Sequence, residues 1–295
     1  MKFISYLRDG EPRLAVTDGD LAVDLNAADP AIPSDFTAAL ALGDVLLATA
    51  RSALRGSGQR TPLAGLVLAP PVPRPGKVLC LGLNYADHAR EAGAELPAYP
   101  SVFMRAASSL AGHGEPAPRP RVSHRMDFEA ELACVIGRRA RYVSRDAALD
   151  HVFGYACFND ITLRDYQMKS PTWTVGKNFD RTGGFGPWVA TRDELPAGAE
   201  DLRIQLRLNG EVEQDANTSQ MIVGVAHAIE LLSEAMTLEP GDVIAMGTPA
   251  GIGGARRPPL WMKPGDVVEV EIEGLGVLRN PIVDEELEPQ THGRA

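Results

Sequence analysis

Met126-Asp127-Phe128-Glu129-Ala130-Glu131-Leu132-Ala133-Cys134-Val135-Ile136-Gly137 alternates like a β-strand. Phe128, Ala130, Leu132, Cys134 and Ile136 fall on one face and are apolar, while Glu129 and Glu131 fall on the other. Two carboxylates two residues apart then point the same way, with Cβ atoms about 7 Å apart. Taken alone, the stretch is a half-exposed strand with two solvated acids, because charged residues belong on surfaces. Like charges at that spacing repel unless a cation lies between them. The neighbouring segments therefore decide whether this is surface or site.

Downstream, residues 152–158 form a second apolar strand that ends in Asn159-Asp160. An acid at that point caps the next helix or serves as a metal ligand. Arg164 and Gln167 follow Asp160 at helical spacing, so the three can face one cavity. Lys177 lies in residues 173–179 and by residue type belongs in solvent. Upstream, residues 77–81 are a short apolar strand running into Gly82-Leu83-Asn84-Tyr85-Ala86-Asp87-His88-Ala89-Arg90-Glu91. His88 and Glu91 are neighbours on a helical turn. Either they are a surface pair worth a few tenths of a kcal/mol, or Glu91 fixes the tautomer of His88 and raises its basicity. Residues 94–100 are polar and Pro-bearing, a candidate flap hinged at Gly93. Residues 103–120 read as irregular.

The rest of the chain divides at residues 70–76, where four prolines in Pro70-Pro71-Val72-Pro73-Arg74-Pro75-Gly76 make an extended linker. Residues 1–69 form a small module, with strands at 3–7, 13–17 and 21–25 and turns at Asp9-Gly10 and Asp18-Gly19. Ser34 is the expected cap of a helix that buries Leu40, Val45, Leu46 and Leu47. Residues 77–295 form the second domain. In it, 202–208 turns at Asn209-Gly210, Thr218 or Ser219 caps a helix reaching Met236, and 266–272 pairs with 275–278. Residues after about 285 read as a disordered tail. The loop Gly247-Thr248-Pro249-Ala250-Gly251 lacks the Lys-Ser/Thr of a phosphate loop, but its backbone N–H groups suit a carboxylate.

A net charge of −10 and a pI near 5.1 argue against a nucleic-acid surface. Cys80, Cys134 and Cys157 lie far apart in apolar runs and read as buried free thiols. No signal peptide or membrane-length apolar run is evident, which predicts a cytoplasmic protein with no membrane partner. Strands dominate residues 77–283, which predicts a β-rich α+β fold. Glu129, Glu131 and Asp160 would offer only oxygen, which suits Mg²⁺, with Mn²⁺ or Ca²⁺ as substitutes, rather than zinc.

Several motifs occur in one order: Gly82-Leu83-Asn84-Tyr85 with His88 and Glu91, Asp127-Phe128-Glu129-Ala130-Glu131-Leu132, Asn159-Asp160, Gly176-Lys177, Gly247-Thr248-Pro249 with Gly251, and Gly265-Asp266. Together they resemble the fumarylacetoacetate hydrolase family, in its acylpyruvate hydrolase and hydroxymuconate isomerase-like branch. The likeness runs from about residue 77 to 283, and residues 1–69 resemble that family's small N-terminal domain. It implies a mixed β-sandwich roll, a homodimer, and a divalent metal held by Glu129, Glu131 and Asp160. It also implies a His88/Glu91 catalytic dyad, a catalytic Lys177, and Tyr85, Arg164, Gln167, Gly247 and Thr248 around the substrate. Arg105 stands where many relatives have lysine, which bears on substrate preference. The implied chemistry is metal-dependent C–C hydrolysis of an acylpyruvate or other 2-oxo or diketo acid, with water activated by His88 and an enolate stabilised by the metal. Oxaloacetate-type decarboxylation and hydroxymuconate-type isomerisation use the same enolate. A catalytically silent metal-binding domain is the alternative outside enzymes, and the intact His88/Glu91 pair argues against it.

Overall fold

A computed structural model describes residues 1–95 and 99–286. Part of the expected flap (96–98) and most of the expected tail (287–295) lie outside the described residues. The fold is α+β and strand-rich. A 12-stranded sheet carries, from one end, Thr61–Pro62, Leu21–Asp24, Glu11–Thr17, Lys2–Arg8, Gly183–Thr191, Val152–Asp160, Ala130–Ile136, Val243–Ala245, Val78–Gly82 and Ser101–Arg105, with Val67–Leu68 paired to Lys2–Arg8 and Leu110–Ala111 to Gly183–Thr191. A five-stranded sheet orders Glu211–Asn217, Arg203–Leu208, Val267–Ile272, Gly276–Asp284 and Ala117–Arg119. The N-terminal strands join the large sheet edge-on: Lys2 pairs with Ala190 and Phe3 with Val189.

Every residue of Ala130–Ile136 is buried, so the half-exposed strand expected from its pattern is corrected. Both faces are covered. Ala130, Leu132, Cys134 and Ile136 pack with Ile204, Leu206, Val268 and Val270 of the smaller sheet. Ala133 and Val135 share a second core with Phe3, Val16, Phe36 and Leu46, under the helices Phe36–Leu40 and Asp44–Arg55. Alternation reports the two faces of a strand but not what covers them. Glu131 lies on the face of Ala133 and Val135, so folding carries it into the interior.

Local chemistry sets the turns. Asp9 and Gly10 both take positive φ in the first hairpin, as do Asn209 and Gly210 in the later one. Asp35 rather than Ser34 caps the helix Phe36–Leu40, accepting from Ala38 N–H at 2.8 Å. Leu46 and Ala50 are the buried residues of Asp44–Arg55, and Val45 is exposed. The helix expected from 218 begins at Val225 and ends at Ala235. Asn217 and Gln220 instead form a capping box on the short turn Thr218–Gln220. Residues 222 and 223 are held out of the helix by Asn84, whose backbone C=O accepts from Ile222 N–H and whose Oδ1 accepts from Val223 N–H. The segment expected to be irregular, 103–120, takes in the end of the strand Ser101–Arg105, which pairs with Val78–Gly82, and the short strands Leu110–Ala111 and Ala117–Arg119. No helix among the described residues is long and apolar enough to cross a membrane.

Candidate active site

The interior carboxylates gather where three elements end. The strand ladder breaks at Phe128 and Glu129, between Met126–Asp127 and Ala130–Ile136. Asn159 spans the break by accepting from Glu129 N–H at 3.0 Å, and Asp160 N–H donates to Glu129 O at 2.9 Å. This lays Glu129 and Glu131 beside Asp160, the last residue of Val152–Asp160. Oxygens of the three lie within 4.8 Å of one another and all three residues are buried. Among the described residues this is the one such group.

Buried cations meet these acids. Lys177, only 2% exposed, places Nζ 2.6 Å from both Glu129 Oε2 and Asp160 Oδ2, so the solvated lysine expected from its residue type is corrected. Burial opposes the charge on Lys177, but Asp160 and Glu129 outweigh it and hold the ammonium above the ordinary lysine range. Burial likewise opposes ionisation of Glu129, yet Lys177 and Arg164 pull its pKa down to about 2. Arg105 pairs with Asp160 Oδ1 and donates to Ser109 and Thr182. Arg164 bridges Asp127 at 2.7 Å and Glu129 at 2.6 Å. Four buried carboxylates thus face three cations, of which Lys177 and Arg105 are buried and Arg164 is partly so. Glu131 has no cation of its own, only Gly247 N–H at 3.0 Å. Burial, then Asp160 and Glu129, push its carboxyl well above the ordinary range. A divalent ion fits this set: three convergent oxygens, no soft ligand, and one carboxylate short of positive charge.

The cluster opens on a cavity of about 220 Å³ lined also by His88, Arg164, Gln167, Lys177, Thr248, Phe103 and Trp173. Clefts beside His113 are larger, about 440 and 580 Å³, but bring no such cluster together. His88 lies on the helix Ala86–Glu91, with Nδ1 3.6 Å from Glu91 Oε2. That is longer than a hydrogen bond. Gly251 N–H lies 3.0 Å from each Glu91 oxygen. Burial opposes the charge of Glu91, but His88 and Gly251 hold its carboxyl below the ordinary glutamate range.

The structure brings His88, Lys177, Glu129, Glu131, Asp160, Arg164, Gln167 and Thr248 around one space. Glu91 stands behind His88 rather than on the cavity wall, and Gly247 spends its N–H on Glu131. Tyr85 lines a different cleft with Asp87, Asp215 and Pro249, its hydroxyl buried without a partner. Three residues given no role from sequence organise the site. Asp127 accepts from Gly253 and Gly254 N–H at 2.8 and 2.9 Å while holding Arg164, and so ties the glycine loop to the acid cluster. Asn84 Nδ2 donates to Met246 O at 2.7 Å and Val223 O at 2.9 Å. Gln214 reaches both Ala130 and Thr248. Their partners lie far away in sequence; Asn84 and Asp127 fall inside quoted motifs without a role attached, and nothing in the sequence pointed to Gln214.

The family model described as fumarylacetoacetate (FAA) hydrolase C-terminal matches residues 77–283. The chain belongs to the fumarylacetoacetate hydrolase family. It is 39% identical over 289 residues to the mitochondrial oxaloacetate tautomerase fahd2 of Xenopus laevis, covering 96% of this chain and 90% of that one. Among solved structures, the fumarylacetoacetate hydrolase of Exiguobacterium antarcticum superposes with a TM-score of 0.83 at 32% identity. Maleylpyruvate hydrolase of Sphingobium sp. SYK-6, in complex with manganese(II) and pyruvate, gives 0.81 at 31%. Each alignment covers 97% of this chain and 100% of the other.

Proposed function

We propose that this protein interconverts the enol and keto forms of a small 2-oxo diacid of the oxaloacetate type. The observation that carries the reading is the placement of His88, backed by Glu91, on the wall of the cavity that holds the carboxylate cluster. The cavity volume lies below the roughly 300–1,000 Å³ of drug-sized ligand sites, which favours a short diacid. The similarity to an oxaloacetate tautomerase supports the same class.

Glu91 faces Nδ1 of His88 and so leaves Nε2 to exchange a proton with substrate. Nε2 takes a proton from C3 of the keto acid; the C–H electron pair becomes the C2=C3 bond and charge moves to the 2-oxo oxygen. The same imidazolium then protonates that oxygen, and the reverse path restores the ketone. Glu129, Glu131 and Asp160 would hold Mg²⁺ or Mn²⁺, which supplies Lewis-acid stabilisation of the developing charge. Lys177 is held against two of those acids and contributes fixed positive charge to the same wall.

The test follows the ultraviolet absorbance of enol-oxaloacetate with and without Mg²⁺, while total oxaloacetate is measured separately. Faster enol loss at constant total oxaloacetate supports the tautomerase. Loss no faster than with Mg²⁺ alone overturns it, and pyruvate formation would identify a decarboxylase. The second reading is C–C hydrolysis of an acylpyruvate by a His88-activated water, favoured by the likeness to maleylpyruvate hydrolase. Release of pyruvate from an acylpyruvate would establish it.

A homodimer belongs to this proposal. Ser101–Arg105 ends the large sheet, with Val102 and Met104 exposed at 38% and 45%, and such an edge needs a cover. A sedimentation mass of one chain at micromolar concentration would count against it.

A further inference from the structure

Gln214 is 1% exposed in the strand Glu211–Asn217 and does not line the cavity, yet its amide acts on a residue that does. Its Oε1 accepts from Ala130 N–H at 2.9 Å. Its Nε2 donates to Pro249 O at 2.8 Å and to Thr248 Oγ1 at 2.9 Å. The orientation of this amide is not a free choice. Ala130 N–H only donates and Pro249 O only accepts, so the oxygen faces the first and the nitrogen the second. The second N–H is then committed to Thr248 Oγ1.

A threonine hydroxyl has one proton to give. With a lone pair engaged by Gln214, Thr248 directs its proton elsewhere, and no protein acceptor for it exists among the described residues. Thr248 lines the cavity beside the acid cluster. Gln167 is biased in the same sense: its Oε1 accepts from Arg164 at 3.0 Å, which leaves its amide nitrogen to donate. The cavity holds more carboxylates than cations, so an anionic ligand depends on neutral donors of this kind. The loop cannot easily turn away, since a Cβ at Gly251 would lie 2.4 Å from Glu213 O and 3.2 Å from Gln214 Cγ.

We propose that Gln214 is a positioning residue that fixes the Thr248 hydroxyl as a hydrogen-bond donor to a carboxylate of the substrate. This rests on the reading of the cavity as a 2-oxo acid site. A purely structural Gln214 would tie Ala130 to the glycine loop and affect stability, with no effect routed through Thr248.

The probe is oxalate, titrated calorimetrically into Mg²⁺-loaded protein, with thermal melting to establish that each variant is folded. Gln214→Met and Thr248→Val are each expected to weaken oxalate binding about tenfold or more, the size of one hydrogen bond to a charged group. Gln214→Met is expected to cost nothing further in the Thr248→Val background, because its effect passes through the hydroxyl. Gln214→Glu keeps the shape but makes position 214 an acceptor, which draws the Thr248 proton away and should weaken oxalate at least as much. A folded Gln214→Met with wild-type affinity, or losses that multiply in the double variant, would overturn the proposal. Should both variants at 214 fail to fold, Thr248→Ser retaining and Thr248→Val losing affinity supports it; equal affinity overturns it. Oxalate binding is read without turnover. A wild type that binds oxalate but does not enolise oxaloacetate therefore removes the proposed function and leaves this inference standing.

Discussion

His88→Ala is expected to lower turnover by about 10²–10⁴-fold, the range for a lost general base, while Mg²⁺ and oxalate still bind. The expectation follows from position: His88 is the imidazole on the cavity wall, and it holds none of the carboxylate cluster's oxygens. Glu91→Gln should fall between wild type and His88→Ala, since the imidazole remains but loses its anion. The Glu91 carboxyl is held below the ordinary glutamate range, so its negative charge is present from mildly acid pH upward and is lost only as pH falls through that depressed value. The acid limb of a pH–rate profile should therefore not move to the glutamate range. Any decarboxylation of oxaloacetate should suffer less in His88→Ala, because loss of CO₂ needs an electron sink and no base. Stopped-flow enol decay at several pH values measures all of this. An unchanged rate in His88→Ala would remove His88 from the chemistry.

The second large effect is on stability. Lys177→Met is expected to destabilise the metal-free protein by about 3–5 kcal/mol, the cost of leaving buried charges without their partner. Glu129 and Asp160 share this one ammonium at 2.6 Å each, and both are buried. Arg105 and Arg164 remain on their other oxygens, so the fold should survive but unfold at lower urea. Mg²⁺ should restore much of the loss. An ion at a hundred times its Kd stabilises by about 2.7 kcal/mol. The gain should be larger in the variant than in wild type, where the ammonium and the ion repel each other across the same oxygens. Urea titrations with and without Mg²⁺ read this directly. A Lys177→Met midpoint equal to that of wild type in both conditions would show that the ammonium does not neutralise the cluster.

Other consequences of the sequence are local. Alternation in residues 126–137, the Asn209-Gly210 turn and the His88/Glu91 spacing each follow from neighbours within a few residues, and the structure contains the strand, the hairpin and the helical turn they imply. The three thiols are buried and free, as their apolar surroundings indicated. Misreadings occur where two local signals compete. Ser34 and Asp35 are adjacent capping residues, and Asp35 accepts the bond. Thr218 and Ser219 resemble a helix start, but the Asn217–Gln220 box closes a single short turn and the grip of Asn84 on residues 222 and 223 delays the helix until Val225.

By itself, then, the sequence determined the elements and the identities of the acids, because strand period, turn dihedrals and cap chemistry act over a few residues. Only the tertiary structure decided what those acids mean. Burial of residues 128–136 turned two apparently solvated glutamates into interior carboxylates. Lys177 lies 48 residues beyond Glu129 and Arg105 lies 55 before Asp160, so no local pattern could announce either pair. Gln214 sits 84 residues from Ala130 and 34 from Thr248, and the direction of one hydroxyl proton depends on both contacts. Charge compensation and hydrogen-bond polarity depend on distance in space, which the folded sheets set and sequence separation does not.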